Sequence, residues 1–195
     1  PVLSSEDLAA NMLGMEHFPD QSQINVVLNR MDQDSVNQLQ EIHCQLFMEH
    51  SNSLSSIEDI VVDIDQSGLV ASAKTYELAE KGYFPHKRGK TGYQVSAAFV
   101  GEYSEILDFY LDPGNVHCQD RLDSLVSSIR HKLSEQLGEG RVILRADSGY
   151  GAFKNIQKLM AVRGLKFIVK GYSSRKAASI AAEVPFDSYE QADDA

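Results

Sequence analysis

The sequence predicts a mixed α/β sheet that follows a helical segment. Apolar residues recur at helical spacing up to about residue 50, and short apolar runs separated by turn residues then indicate a meander of antiparallel strands. Helical and strand patterns alternate after the meander, which is typical of α/β crossovers. We therefore expect a helical N-terminal segment over residues 1–55 and an α/β core over residues 56–195.

Two helices are predicted in the N-terminal segment. The first carries apolar residues at helical spacing, namely Ile24, Val27, Leu28 and Met31. The second covers residues 33–49 and places on one face Val36, Leu39, Ile42, Leu46 and Phe47. A serine-rich break over residues 51–56 separates this segment from the core.

Four strands are predicted in the first half of the core, over residues 60–65, 69–76, 93–100 and 105–111. Gln66-Ser67-Gly68 is a turn signal, so we expect the second strand to pair back on the first. A basic loop rich in glycine lies between the second and third strands, over residues 81–92. Asp112-Pro113-Gly114-Asn115 is expected to end the fourth strand.

Helices and strands alternate in the second half of the core. A long amphipathic helix is predicted from the stripe Leu122, Leu125, Val126, Ile129, Leu133 and Leu137. Residues 142–146 are apolar without alternation, as in a central strand buried on both faces. A helix ending at Gly164, a strand over residues 165–170 and an alanine-rich helix over residues 176–183 follow.

A meander followed by helix, strand, helix and strand is the element order of the ribonuclease H-like fold. In that fold the metal site lies where the first strand and the strand after the first core helix sit side by side. Asp65 and Asp147 occupy those two places in this sequence. The predicted fold therefore brings two carboxylates to one edge of the sheet.

Composition and charge narrow the function classes. The chain has 195 residues, of which 43% are hydrophobic and 24% charged, as in an ordinary soluble globular protein. No apolar run has the length of a membrane span, and we expect no secretory leader, no membrane partner and a cytoplasmic location. The two cysteines, Cys44 and Cys118, are expected to be free thiols.

Charge is distributed unevenly along the chain. The net charge of −10 argues against nucleic-acid binding by the surface as a whole. One segment without acids is the exception, and its cations are Lys81, Lys87, Arg88 and Lys90. This segment is interpreted either as a solvated hairpin tip or as a contact for the DNA backbone, with Tyr83 and Phe84 available for stacking.

Asp65 and Asp147 have a structural and a chemical interpretation. Each could cap the turn or helix that follows it. Alternatively, the pair could hold Mg²⁺, since transfer of a phosphodiester uses two divalent ions about 4 Å apart held by carboxylates from several elements. Asp63 shares a strand face with Asp65 as a candidate auxiliary ligand. Arg145 shares a face with Asp147 and could contact a phosphate or pair with an acid.

The sequence lacks the motifs of two other kinds of site, a nucleotide-binding loop and a zinc site. The chain has no G-x-x-x-x-G-K-[ST] loop, so we expect no nucleotide cofactor. It also has no H-E-x-x-H, and its histidines are scattered within or beside helices, so we expect no zinc site.

The chain resembles the DDE transposases of the IS4-like superfamily, most closely the IS1380 branch. Four stretches carry the resemblance, in matching order: residues 61–67, residues 82–93 (Gly-Tyr-Phe-Pro-His-Lys-Arg-Gly-Lys-Thr-Gly-Tyr), residues 112–115 and residues 144–150 (Leu-Arg-Ala-Asp-Ser-Gly-Tyr). Upstream, Pro19-Asp20-Gln21-Ser22-Gln23 is similar to the P-S-Q-x-T segment of that family.

The resemblance implies cut-and-paste DNA transposition with Mg²⁺, for which Mn²⁺ can substitute. The first catalytic acid falls on Asp65 and the second on Asp147. The implied partners are transposon-end DNA, held by the basic segment and Arg145, and a second copy of the full-length protein. The family's third acid is a Glu in a Y-x-x-R-x-x-x-E segment that this sequence lacks. We therefore expect a core that ends before that acid and cleaves DNA poorly alone.

Two alternatives remain. Residues 62–67 also fit the start of haloacid-dehalogenase-like phosphatases, in which Asp63 would be the nucleophile and Asp65 the acid/base, with one Mg²⁺. A β-hairpin rather than a helix is predicted to follow, which disfavours that family. The other alternative is an inactive ribonuclease H-like remnant that acts in binding or oligomerisation.

Overall fold

A computed structural model describes residues 10–12, 14–71, 76–84, 89–171 and 173–185. The chain divides into two compact units, Pro1–Glu49 and His50–Ala195. The assignment of residues 1–55 and 56–195 as separate domains stays a prediction.

The first unit contains the two expected helices, α1 (Gln21–Leu28) and α2 (Gln33–His50). Helix α1 begins with a capping box, in which Asp20 Oδ1 accepts from the Gln23 N–H and Gln23 Oε1 accepts from the Asp20 N–H, both at 2.8 Å. The side chains of the N-cap residue and of the third helical residue thus satisfy two backbone donors that the helix itself leaves without a partner.

The second unit holds a six-stranded sheet. Its strands are β1 (Ile60–Val70), β2 (Glu80–Lys81), β3 (Thr91–Val100), β4 (Glu105–Pro113), β5 (Val142–Ala146) and β6 (Leu165–Val169). Strand β3 pairs antiparallel with β1 on one side and with β4 and β2 on the other. Strand β5 pairs parallel with β1, and β6 pairs parallel with β5.

The predicted hairpin at Gln66-Ser67-Gly68 is wrong, because β1 continues through this sequence to Val70. The extra residues find partners along β3, as far as the pair Val70 and Gly92. Gly68 gives room for the Phe84 ring, since a Cβ on Gly68 would lie 2.6 Å from Phe84 Cδ1. Residues 72–75 of the predicted second strand lie outside the described residues.

The helices of the second unit are α3 (Asn52–Ser55), α4 (Leu122–Lys132), α5 (Ser134–Gly138), α6 (Phe153–Met160) and α7 (Ser174–Glu183). The predicted long helix is divided between α4 and α5 at Leu133, whose ψ of 33° is not helical. Its apolar stripe is buried as expected, together with alternate residues of β1 and β5. The buried residues of the stripe are Leu122, Leu125, Ile129, Leu133 and Leu137.

Glu105, at the first position of β4, ties α3 to the sheet. Its Oε1 accepts from the Asn52 N–H at 2.6 Å, and its Oε2 accepts from the Ser51 hydroxyl at 2.6 Å and the Ser53 N–H at 3.2 Å. Burial alone would raise the pKa of Glu105, but these hydrogen bonds outweigh it and hold the pKa below the usual value. A carboxylate from the sheet therefore caps this short helix.

The fold is ribonuclease H-like, as the element order predicts. The three long antiparallel strands come first, and β5 and β6 then extend the sheet on the other side of β1. Within the described ranges, no helix combines the length and the apolar character needed to cross a membrane.

Candidate metal centre

Strand pairing brings Asp65 and Asp147 to neighbouring positions. The parallel register of β1 and β5 ends with the pair Ile64 and Ala146, and each aspartate is the next residue of its chain. Paired strands lie about 4.8 Å apart, so the two backbones are adjacent where these carboxylates project. Both side chains are exposed.

The two aspartates line a cleft of about 740 Å³. Its other walls come from residues 66–68 of β1, from Lys81–Tyr83, from the loop after β4 and from the turn after β5. A cleft of this size admits water and part of a larger substrate, so the carboxylates are accessible to both.

Each carboxylate is oriented by one backbone donor. Asp65 Oδ1 accepts from the Gln66 N–H at 2.8 Å, and Asp147 Oδ1 accepts from the Gly149 N–H at 2.9 Å. No other described residue donates to either carboxylate, which leaves one oxygen of each for a ligand. The capping and metal-binding interpretations of Asp147 are therefore compatible.

Gly149 lets the turn after β5 close tightly. A Cβ at this position would lie 2.8 Å from Cys118 Sγ and 3.0 Å from Asp147 Oδ1. Burial, with a smaller effect of the Asp147 charge, raises the pKa of the Cys118 thiol to about 11. Cys118 is thus a neutral thiol beside Asp147.

Asp65 and Asp147 both influence the pKa of a third residue that lines the cleft, Tyr150. Its ring is fully buried, and burial is the main cause that raises the pKa of its hydroxyl. The neighbouring Cys118, Asp65 and Asp147 raise that pKa further. Sequence reasoning overlooked Tyr150, although its place three residues after Asp147 was a usable signal.

Asp63 and Arg145 face each other across β1 and β5. Arg145 Nε donates to Asp63 Oδ1 and its NH2 group donates to Asp63 Oδ2, both at 2.7 Å. Of the two interpretations of Arg145, pairing with an acid is thus observed. Both Asp63 oxygens are engaged, so the auxiliary-ligand role and the phosphatase alternative, which needs Asp63 as a nucleophile, are not favoured.

The basic segment is held to the sheet near the carboxylates. Buried Gln94 donates from Nε2 to the carbonyl oxygens of Tyr83 and Gly114, both at 3.1 Å. The backbone approaches closely here, because a Cβ on Gly82 would lie 1.6 Å from Gly114 O. This arrangement fixes Lys81 at the cleft.

The other cations of this segment are not at the cleft or are not described. Lys90 is exposed just before β3 and is not among the residues that line the cleft. Lys87 and Arg88 lie outside the described residues.

The donor set fits a hard divalent cation. Mg²⁺ takes oxygen ligands, keeps several waters and is commonly held by one or two carboxylates plus a substrate phosphate. Asp65 and Asp147 supply two such oxygens in an open cleft. Among the described residues, no group of three His, Cys, Asp or Glu side chains that could hold a metal is found. A cation bound by this pair would therefore need a further ligand.

A ribonuclease H-like sheet in which two adjacent strands bring carboxylates to one cleft is typical of domains that process nucleic acids. The model of the family "Transposase DDE domain group 1" matches residues 4–193. The chain belongs to this family, as the resemblance to DDE transposases predicts. No curated protein matches the chain.

Solved structures of several transposases are similar to this chain at low identity. A piggyBac transposase synaptic complex with hairpin DNA has 14% identity and a TM-score of 0.47, covering 96% of this chain and 41% of that one. A Mos1 transposase paired-end complex has 14% identity and a TM-score of 0.40, covering 96% and 63%. A Drosophila P element transposase strand transfer complex has 16% identity and a TM-score of 0.39, covering 85% and 38%. The chain thus spans less than two thirds of each.

Proposed function

We propose that the parent protein is a DNA transposase that hydrolyses phosphodiesters at transposon ends and transfers the freed strand. The observation that carries this proposal is the pairing of β1 with β5, which brings Asp65 and Asp147 to one cleft in a member of a transposase family. When bound there, Mg²⁺ or Mn²⁺ would neutralise charge on the attacking and leaving oxygens of the phosphodiester.

Asp65 and Asp147 have different roles in this proposal. Asp65 lies within the sheet, between β3 and β5, and would bind both cations, while Asp147 would bind one of them. Their Oδ1 atoms are fixed by backbone donors, so the free oxygens need little reorganisation to bind. Lys81 lines the same cleft and would neutralise a phosphate of the DNA backbone.

Further features of the parent belong to the same proposal. A third carboxylate would come from outside the described residues, and without it this chain alone would cleave DNA poorly. We also propose that the partners are transposon-end DNA and a second copy of the full-length protein, that the parent belongs to the IS1380 branch, and that it is cytoplasmic. Membership of a transposase family supports transposon-end DNA as a partner.

The first test is a titration with Mn²⁺, followed by electron paramagnetic resonance. We expect the chain to bind Mn²⁺, and Asp65→Asn or Asp147→Asn to weaken binding by at least about tenfold, because even residues that only orient metal ligands contribute that much. Asp59→Asn is the matched control, since Asp59 precedes the other end of β1 and pairs with Lys166. Absence of binding, or binding unchanged by Asp147→Asn, would contradict the proposal.

A further inference from the structure

One buried polar group at the cleft has no partner. The Tyr150 side chain is fully buried, and its hydroxyl forms no hydrogen bond with any residue that the structure describes. Buried hydroxyls in native proteins nearly always have a partner, so an orphan one calls for an explanation. Its location beside the two carboxylates suggests where that partner is.

The backbone fixes Tyr150 relative to Asp147. The Tyr150 N–H donates to the Asp147 carbonyl oxygen at 3.3 Å, which closes the 3-10 helix Ser148–Tyr150 directly after Asp147. Tyr150, Asp65 and Asp147 all line the same cleft. The tyrosine therefore lies at the carboxylate pair by virtue of the same turn that orients Asp147.

The cleft offers acceptors for this hydroxyl. Asp65 and Asp147 each keep one oxygen without a described donor. A phenol hydroxyl is a hydrogen-bond donor, and either free oxygen can accept from it.

We propose that Tyr150 is a positioning residue, whose hydroxyl donates a hydrogen bond, directly or through one water, to the Asp65 or Asp147 carboxylate when that carboxylate holds a divalent cation. The inference rests on the proposed function, because it takes the two aspartates as metal ligands. A hydrogen bond to an ionised carboxylate is roughly twice as strong as one between neutral groups, so it would restrict the side chain of that aspartate effectively.

The test compares Tyr150→Phe with the wild-type chain in two measurements. In the absence of metal, the melting temperature should be unchanged or higher, because the variant loses a buried hydroxyl without a partner. In the Mn²⁺ titration, the affinity should fall by about tenfold or more, as expected for loss of a hydrogen bond that orients a charged metal ligand. Tyr103→Phe is the matched control, since Tyr103 lies in the turn between β3 and β4.

The outcomes separate this inference from the proposed function. Unchanged Mn²⁺ affinity in Tyr150→Phe, with a wild-type chain that binds Mn²⁺, would overturn the inference alone. A lower melting temperature of the metal-free variant would overturn it as well, because the hydroxyl would then have a structural partner. A wild-type chain that binds no Mn²⁺ would contradict both.

Discussion

Asp112 illustrates how one buried side chain supports the cleft. Its carboxylate is 3% exposed and pairs with Arg121, whose Nε donates to Oδ2 at 2.7 Å. The Arg121 guanidinium also lies over the Tyr110 ring, 4.8 Å from its centroid. The pair joins the end of β4 to the 3-10 helix Cys118–Arg121, and the loop between them forms one wall of the cleft.

Replacing Asp112 should be far more destabilising than replacing an exposed acid. Asp112→Asn would replace the buried carboxylate that accepts from the half-buried Arg121 guanidinium with a neutral amide, so we expect a loss of about 1.5–3 kcal/mol in the free energy of unfolding. Asp123→Asn is the control, because its ion pair with Lys158 is exposed and should contribute less than about 1 kcal/mol. Urea unfolding measures both, and equal losses would contradict this account.

At the scale of single elements, helix α3 shows how capping from a distant residue stabilises the start of a helix. Helix α3 has only four residues, and its own N-cap residue, Ser51, makes no side-chain capping hydrogen bond to the helix. The capping comes instead from Glu105, more than 50 residues away along the chain. Such a helix depends on the tertiary structure for its stability.

The contribution of Glu105 to stability should depend on pH. Because hydrogen bonds hold its folded-state pKa below the unfolded value of about 4.3, the contribution is fully present above that value and is lost as the pH falls through the lower folded-state pKa. Glu105→Ala should cost about 1–2 kcal/mol at pH 7, and less as the solution is acidified.

Thermal unfolding of Glu105→Ala and the wild type between pH 7 and pH 2 measures this effect. Glu102→Ala, in the exposed turn before β4, is the control. A difference between variant and wild type that widens on acidification would show that the sign is wrong.

The same elements show what could be predicted from the sequence. The sequence predicted Asp65 at a strand end, whereas Asp65 lies within β1. The order of the other long strands and the place of Asp147 directly after β5 followed from local patterns. The length of β1 did not, because Gln66-Ser67-Gly68 reads locally as a turn and only pairing with β3 keeps it extended. The pairing of Asp63 with Arg145 depends on the register of two strands 82 residues apart, which no local pattern encodes.

At the scale of the whole molecule, the charge distribution opposes non-specific DNA binding. The chain carries a net charge of −10, and the segment that contains Lys81 is an exception without acids. Each phosphate that a protein neutralises releases counterions, so the contribution of a single cation appears in the salt dependence of the affinity.

Lys81→Ala should therefore weaken binding to duplex DNA and reduce the slope of log affinity against log salt by about one. Fluorescence anisotropy with a labelled duplex over a series of salt concentrations measures both. Lys166→Ala is the control, because Lys166 pairs with Asp59 at the other end of the sheet. An unchanged slope in Lys81→Ala would exclude a phosphate contact at this residue.

The contact between Gly82 and Gly114 limits how the cleft can adapt. Two polypeptide backbones touch there with no side chain between them, and a substituent on either glycine would collide with a carbonyl oxygen of the other segment. Widening or narrowing of the cleft at this wall therefore requires β2 and the end of β4 to shift jointly. A substrate of different width would therefore have to displace this wall as a rigid unit. Side chains cannot repack here, because both residues in contact are glycines.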